Sequence, residues 1–142
     1  MARYIIGYSI IFLLLCIGAY TDAKQRIIPN WVNLGIFLAG FILPTVPIGE
    51  RFLNLAVIVV AIILSSVITK KKSGGGDIKL YCALAFALTL APTAIILVLA
   101  ILFMLVHRAI AKKEKGAKYP VCCYVAPAYV LWIAGNLALL NV

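Results

Sequence analysis

The sequence predicts an all-α membrane protein, a bundle of about six transmembrane helices with both chain termini on the non-cytoplasmic side. Three observations carry this expectation. Of the 142 residues, 65% are hydrophobic and 12% charged, against roughly 45–50% and about 25% in a soluble domain. One soluble core of this size cannot hide so much apolar surface. The apolar residues fall in runs near the ~20 helical residues that a hydrocarbon core of ~30 Å requires. Lysines and arginines sit in short clusters between those runs, as membrane topology demands. The chain is read as one domain, residues 1–142, and its composition excludes a soluble enzyme, a disordered tail and a secreted disulfide scaffold. A net charge of +9, from 13 basic and 4 acidic residues, would suggest nucleic acid only if the cations formed one solvated face. Dispersed as they are, they name the lipid bilayer as a partner, and no nucleic acid.

The first apolar run covers residues 4–20. Lys24 and Arg26 follow it, more positive charge than the Arg3 that precedes it, so it reads as an anchor with its amino terminus outside rather than a cleaved signal. Pro29 is placed to open the second helix with Asn30 helping to cap it, and the run 31–48 begins with Trp31 as an interfacial anchor. The third run, 52–69, follows a short outer turn in which Glu50 and Arg51 read as loop charges. Residues 80–106 form a run of 27 residues, which as one helix would reach ~40 Å. Ala91-Pro92-Thr93 near its middle marks a turn or kink.

Charge decides whether that run is split. With six spans, one face holds Lys24, Arg26, Lys70, Lys71, Lys72, Lys79, Arg108, Lys112, Lys113, Lys115 and Lys118, and the other only Arg3 and Arg51. With five spans the last five of the eleven change sides, giving 6 against 7 and no bias. The positive-inside rule therefore selects six, with the fifth helix extending through Arg108 toward Lys112. The last run, 121–140, contains Pro127, expected to bend it. Ala83/Ala87/Ala91 and Gly35/Ala39 form small-residue ladders that allow close helix contact.

Chemistry has few places to reside. Cys16, Cys82, Cys122 and Cys123 form no CxxC pair, and His107 is the lone histidine, so neither a metal nor another cofactor is expected. His107 beside Arg108 reads as interfacial, and no SxxK or GxSxG pattern surrounds any serine. Of the four acids, Glu50 and Glu114 read as loop charges. Asp22, at the end of the first helix, and Asp77, at the start of the fourth, fall at one membrane depth on the cytoplasmic side. Two such carboxylates can hydrolyse an amide: one accepts a proton from water while the other, protonated, donates to the carbonyl.

Each aspartate also has a plainer reading. Asp22 could merely offset Lys24 and Arg26, and Asp77 could cap a helix after a flexible Gly74-Gly75-Gly76 linker. The linker reading leaves three glycines at a lipid boundary unexplained, whereas they would permit positive φ and close approach of a substrate strand. Helix dipoles make Asp22, at a C-terminus, the more readily protonated member, and Asp77, at an N-terminus, the more readily ionised.

The segment from Asp22 to Arg26-Ile27-Ile28-Pro29-Asn30, followed by Gly74-Gly75-Gly76-Asp77-Ile78-Lys79-Leu80, resembles the type IV prepilin peptidase family, membrane aspartyl proteases with a GxGD motif. The resemblance implies a multi-pass protein of the cell inner (plasma) membrane, active at the cytoplasmic face. It implies cleavage of the basic leader from prepilin-like precursors, just after a glycine and ahead of an apolar helix. Asp22 and Asp77 match the family's catalytic aspartates, while Gly74, Gly75, Gly76 and Lys79 match the motif that positions substrate backbone. Longer members N-methylate the new amino terminus and carry a segment with paired CxxC motifs. This sequence shows none, so cleavage without methylation is expected. The chain is most similar to short enzymes of Tad/Flp-type pili and archaeal preflagellin peptidases. Two alternatives are an intramembrane GxGD protease of the presenilin or signal-peptide-peptidase type, and a non-enzymatic pilus-assembly subunit.

Overall fold

The structure, a computed structural model, describes residues 2–43, 47–69, 74–111 and 120–140. The basic clusters at 70–72 and 112–118, with Glu114, lie outside them. The described residues form six helices and no strand: α1 (Ala2–Gln25), α2 (Asn30–Ile42), α3 (Ile48–Thr69), α4 (Gly75–Leu88), α5 (Leu90–Ala111) and α6 (Cys122–Leu140).

Each boundary has a local cause. Arg26 closes α1 in the left-handed region, φ 55°, with its N–H on the Asp22 carbonyl at 2.9 Å. Pro29, extended at ψ 140°, opens α2 without a side-chain cap. Asn30, the expected cap, instead accepts a hydrogen bond from Lys79 Nζ at 2.9 Å. The Pro47 carbonyl starts α3 by accepting from the amides of Glu50 and Arg51.

The long apolar run does divide, but at Thr89 (φ 81°) rather than at Ala91-Pro92-Thr93. Pro92 has no N–H to donate and is tolerated only in a helix's first turn, so the chain breaks just upstream and places Pro92 there. The Thr93 hydroxyl donates to the Thr89 carbonyl at 2.7 Å and secures the restart. α5 continues through Arg108, as the charge pattern requires.

Helices α1, α2, α4, α5 and α6 pack in a closed circuit, each on the next and α6 back on α1, with α3 outside against α4. Leu15, Val32, Ile36, Leu80, Leu84, Val125 and Tyr129 fill the interior, and Tyr129 Oη donates to the Tyr8 carbonyl at 3.0 Å. The outside is apolar too: Leu13, Leu34, Leu53, Leu64, Val98 and Leu131 are all exposed. Such a continuous exposed apolar surface marks contact with lipid or another apolar partner. Among the described residues, two helices, Arg3–Gln25 and Leu90–Ile110, are long and apolar enough to cross a membrane.

Arg51 departs from its expected place as a loop charge. It is 3% exposed, and its guanidinium donates to the carbonyls of Gly40 and Leu43 at the end of α2, and to Phe86 near the end of α4 at 3.4 Å. Two helix C-termini thereby share one cation, which satisfies their orphan carbonyls and complements both dipoles. Gly40 makes room for this, since a Cβ there would lie 3.0 Å from the Ala87 Cα and 3.3 Å from an Arg51 nitrogen.

Candidate active site

At the other end of α4, a cleft of about 620 Å³ opens between the end of α1, the start of α2, the start of α4 and the approach to α6. Asp22, Asp77, Gly74, Gly75, Gly76 and Lys79 all line it, with Arg26, Ile27, Ile28, Asn30 and Pro120. Every site residue expected from the sequence therefore meets in one place. Asp22 and Asp77 lie 55 positions apart in the chain but face the same space.

The two carboxylates differ in their surroundings. Asp22 is buried, 6% exposed, and its Oδ2 accepts a hydrogen bond from the backbone N–H of Cys122 at 2.9 Å. Cys122 is the first residue of α6, so Asp22 occupies an anion position at that helix's N-terminus. This offsets the unfavourable end of its own helix, the dipole that marked Asp22 as poorly placed. Local sequence could not reveal it, because the compensating amide lies 100 residues away. The thiol of Cys123 donates to the Ala19 carbonyl at 3.1 Å and helps hold the two helices together.

Asp77 stands in the first turn of α4, half-buried. Burial, and secondarily the charge of Asp22, push its carboxyl up from the ordinary value. Burial thus favours the protonated form at Asp77, where the α4 dipole by itself favours the ionised one.

The glycines act differently from the expectation of a positive-φ loop. Gly74 is the extended N-cap of α4, φ −62°, while Gly75 and Gly76 form its first turn. A Cβ on Gly74 would come within 2.9 Å of Asp77 Oδ2, so glycine there leaves the carboxylate its position. Among the described residues nothing stands within 4 Å of where a Gly75 Cβ would be, and Gly76 comes up against Ile28. Lys79 reaches across to Asn30, tying α4 to α2 at the rim of the cleft. His107 pairs its Nδ1 with Tyr124 Oη at 2.5 Å, joining the end of α5 to the start of α6.

One contributor escaped the sequence, the Cys122 amide, which leaves no sequence signal. Among the described residues, no cluster of His, Cys, Asp and Glu could hold a metal ion.

Comparison with known proteins adds a family. The model of the type IV leader peptidase family matches residues 9–108, well over half of the chain and inclusive of both aspartates. No curated protein and no solved structure matches significantly. On that match, with both aspartates in one cleft, the chain belongs to the type IV leader peptidase family.

Proposed function

We propose that this protein is a membrane aspartyl endopeptidase that removes the basic leader from type IV prepilin-like precursors, of the Tad/Flp type, at the cytoplasmic face of the inner membrane. The observation that carries the reading is the convergence of Asp22 and Asp77 on one cleft, inside a helical bundle whose outer surface is apolar. In this reading all six helices cross or enter the bilayer, both termini lie outside the cytoplasm, and the cleft faces the side where the sequence concentrates positive charge.

The surroundings of the two aspartates support a division of roles. Asp77, whose carboxyl is pushed up, carries the shared proton. Asp22, anchored by the Cys122 amide at the α6 N-terminus, is the carboxylate that takes a proton from water. The water oxygen attacks the scissile carbonyl as Asp77 delivers its proton to the carbonyl oxygen, giving a neutral gem-diol. Asp22 then passes its proton to the departing nitrogen while Asp77 recovers one from a hydroxyl. The C–N bond breaks into an acid and an amine, and both carboxyls regain their starting states. Gly75, with no described residue within 4 Å of where a Cβ would stand, leaves the peptide backbone a path beside Asp77. Both aspartates stand at helix ends rather than mid-helix, which favours a cut outside the substrate's apolar segment.

The test is direct. Purified protein is incubated with a precursor peptide bearing a basic leader, a glycine and an apolar helix, and the new amino terminus is sequenced. Cleavage just after the glycine, lost in both Asp22→Asn and Asp77→Asn, is expected. Undiminished cleavage by Asp77→Asn would remove the mechanism. A cut within the apolar segment would point to an intramembrane protease instead.

A further inference from the structure

The aspartate cleft also carries cations. Lys79 and Arg26 both line it, and Lys79 is already tied to Asn30. Arg26 is exposed and stands one helical turn after Asp22, whose carbonyl accepts its N–H. Its left-handed backbone, φ 55°, is a conformation that glycine adopts freely and that a residue with a Cβ resists. Glycine would close α1 with the same N–H, so the backbone gives no reason for an arginine at this position. A strained residue on the wall of a reaction site points to use of its side chain.

Resting on the leader-peptidase reading, we propose that Arg26 binds the carboxylate that cleavage creates at the new carboxyl end of the leader. The leader is basic, and a cation in its path repels it unless the leader presents an anion there. Hydrolysis supplies that anion. The C–N bond breaks into an acid and an amine, the acid gives its proton to the amine, and a carboxylate and an ammonium result. The new carboxylate is left beside two aspartates that hold one proton between them and so carry one negative charge. A guanidinium, always charged and presenting its donors as a planar fork, offsets that repulsion and pairs with a carboxylate through two parallel hydrogen bonds. The amide oxygen of the intact precursor carries no net charge and makes a weaker bond. Arg26 therefore holds the product more tightly than the substrate at this point and favours ionisation of the new acid. The severed leader thereby becomes a product inhibitor.

The experiment uses the full chain in an uncharged detergent and labelled leader peptides ending at the glycine, one with a free carboxylate and one with a carboxamide. Binding is read by fluorescence anisotropy, and inhibition of precursor cleavage is read separately. The free carboxylate is expected to bind the wild type about tenfold or more tightly than the carboxamide, and to inhibit in the same ratio. Arg26→Gly, which relieves the left-handed backbone and so keeps the fold, should bring the two peptides level. Arg26→Lys, which keeps the charge and loses the fork, should retain part of the preference. A carboxamide leader with an extra carboxylate at its amino end controls for attraction to the protein's net charge of +9 and should gain little. Equal binding of the two leaders by the wild type overturns the inference, as does an equal gain from the control leader. A preference that survives in Arg26→Gly, or disappears only in Lys79→Met, overturns it as well. Failure of the parent reading looks different: the precursor is not cut, or Asp77→Asn cuts it as the wild type does.

Discussion

Replacing Cys122 by proline deletes the amide's hydrogen bond to Asp22 and, with the thiol, its hydrogen bond to the Leu15 carbonyl. The Cys122 N–H donates to Asp22 Oδ2, while the first bonds within α6 run from the amides of Tyr124 and Val125 to the Val121 carbonyl. Cys122 thus stands at the first helical position, where proline's fixed φ is pre-organised and its missing N–H costs the helix nothing. A hydrogen bond to a charged group contributes about 1.5–3 kcal/mol. If all of it orients and stabilises Asp22 in the transition state, kcat/KM should fall roughly 10- to 150-fold at ~1.4 kcal/mol per decade. The assay is peptide cleavage, with Asp22→Asn as the floor. Cys122→Ala is the control: it removes the thiol, which packs close to the Leu15 carbonyl at 3.6 Å, but keeps the amide. It should stay within a few-fold of wild type. Equal rates for the proline and alanine variants, both folded, would refute the role given to this amide.

Three further perturbations test other parts of the structure. Arg51→Met leaves the Gly40, Leu43 and Phe86 carbonyls without their shared donor; at about 1–3 kcal/mol per unsatisfied buried group, a loss of about 3–9 kcal/mol is expected in detergent unfolding, and Arg51→Lys should recover part of it. Asp77→Asn should match or exceed wild-type stability at neutral pH. The folded state raises this carboxyl, so it binds more protons than the unfolded chain between the two pKa values. Its stabilising protonated form is fully present below the unfolded value and is lost as pH rises through the folded one, so the Asn variant's advantage should vanish in acid. Arg26→Gly relieves a left-handed residue at φ 55° and should stabilise by about 1 kcal/mol, measured by unfolding, while cleavage reports whether the guanidinium at the cleft is used.

How much of this was legible in the sequence depended on distance along the chain. Hydrophobic run length and the placement of lysines were enough to divide residues 80–106 into two helices and carry the fifth past Arg108. The point of division was missed by a turn's edge, because Pro92 reads as a breaker although its tolerated place is just inside a helix start. The aspartate pair was legible because acids are scarce, and each had to stand at a helix end. What surrounds the pair was not. Cys122 reads as a small apolar residue, and nothing near it announces an amide directed at Asp22. Arg51 next to Glu50 looks like a solvated couple, yet its partners are carbonyls of two other helices. Contacts between remote backbone groups and side chains leave no pattern in a single sequence.

The shared Arg51 cap has a consequence for the membrane itself. Helix ends within hydrocarbon are prohibitive unless their carbonyls are satisfied by protein. With a buried guanidinium supplying that, α2 and α4 can stop after 13 and 14 residues, about 20 Å of rise, beside α1 and α5 at about 33–36 Å. Along α4, Asp77 and the Phe86 carbonyl are nine positions apart, only ~14 Å, or half of a hydrocarbon core. On the proposed membrane placement, α2, which carries the exposed Leu34, Leu38 and Phe41, is therefore a span shorter than the hydrocarbon core. Acyl chains beside it would have to shorten to match, at a fraction of a kcal/mol per Å.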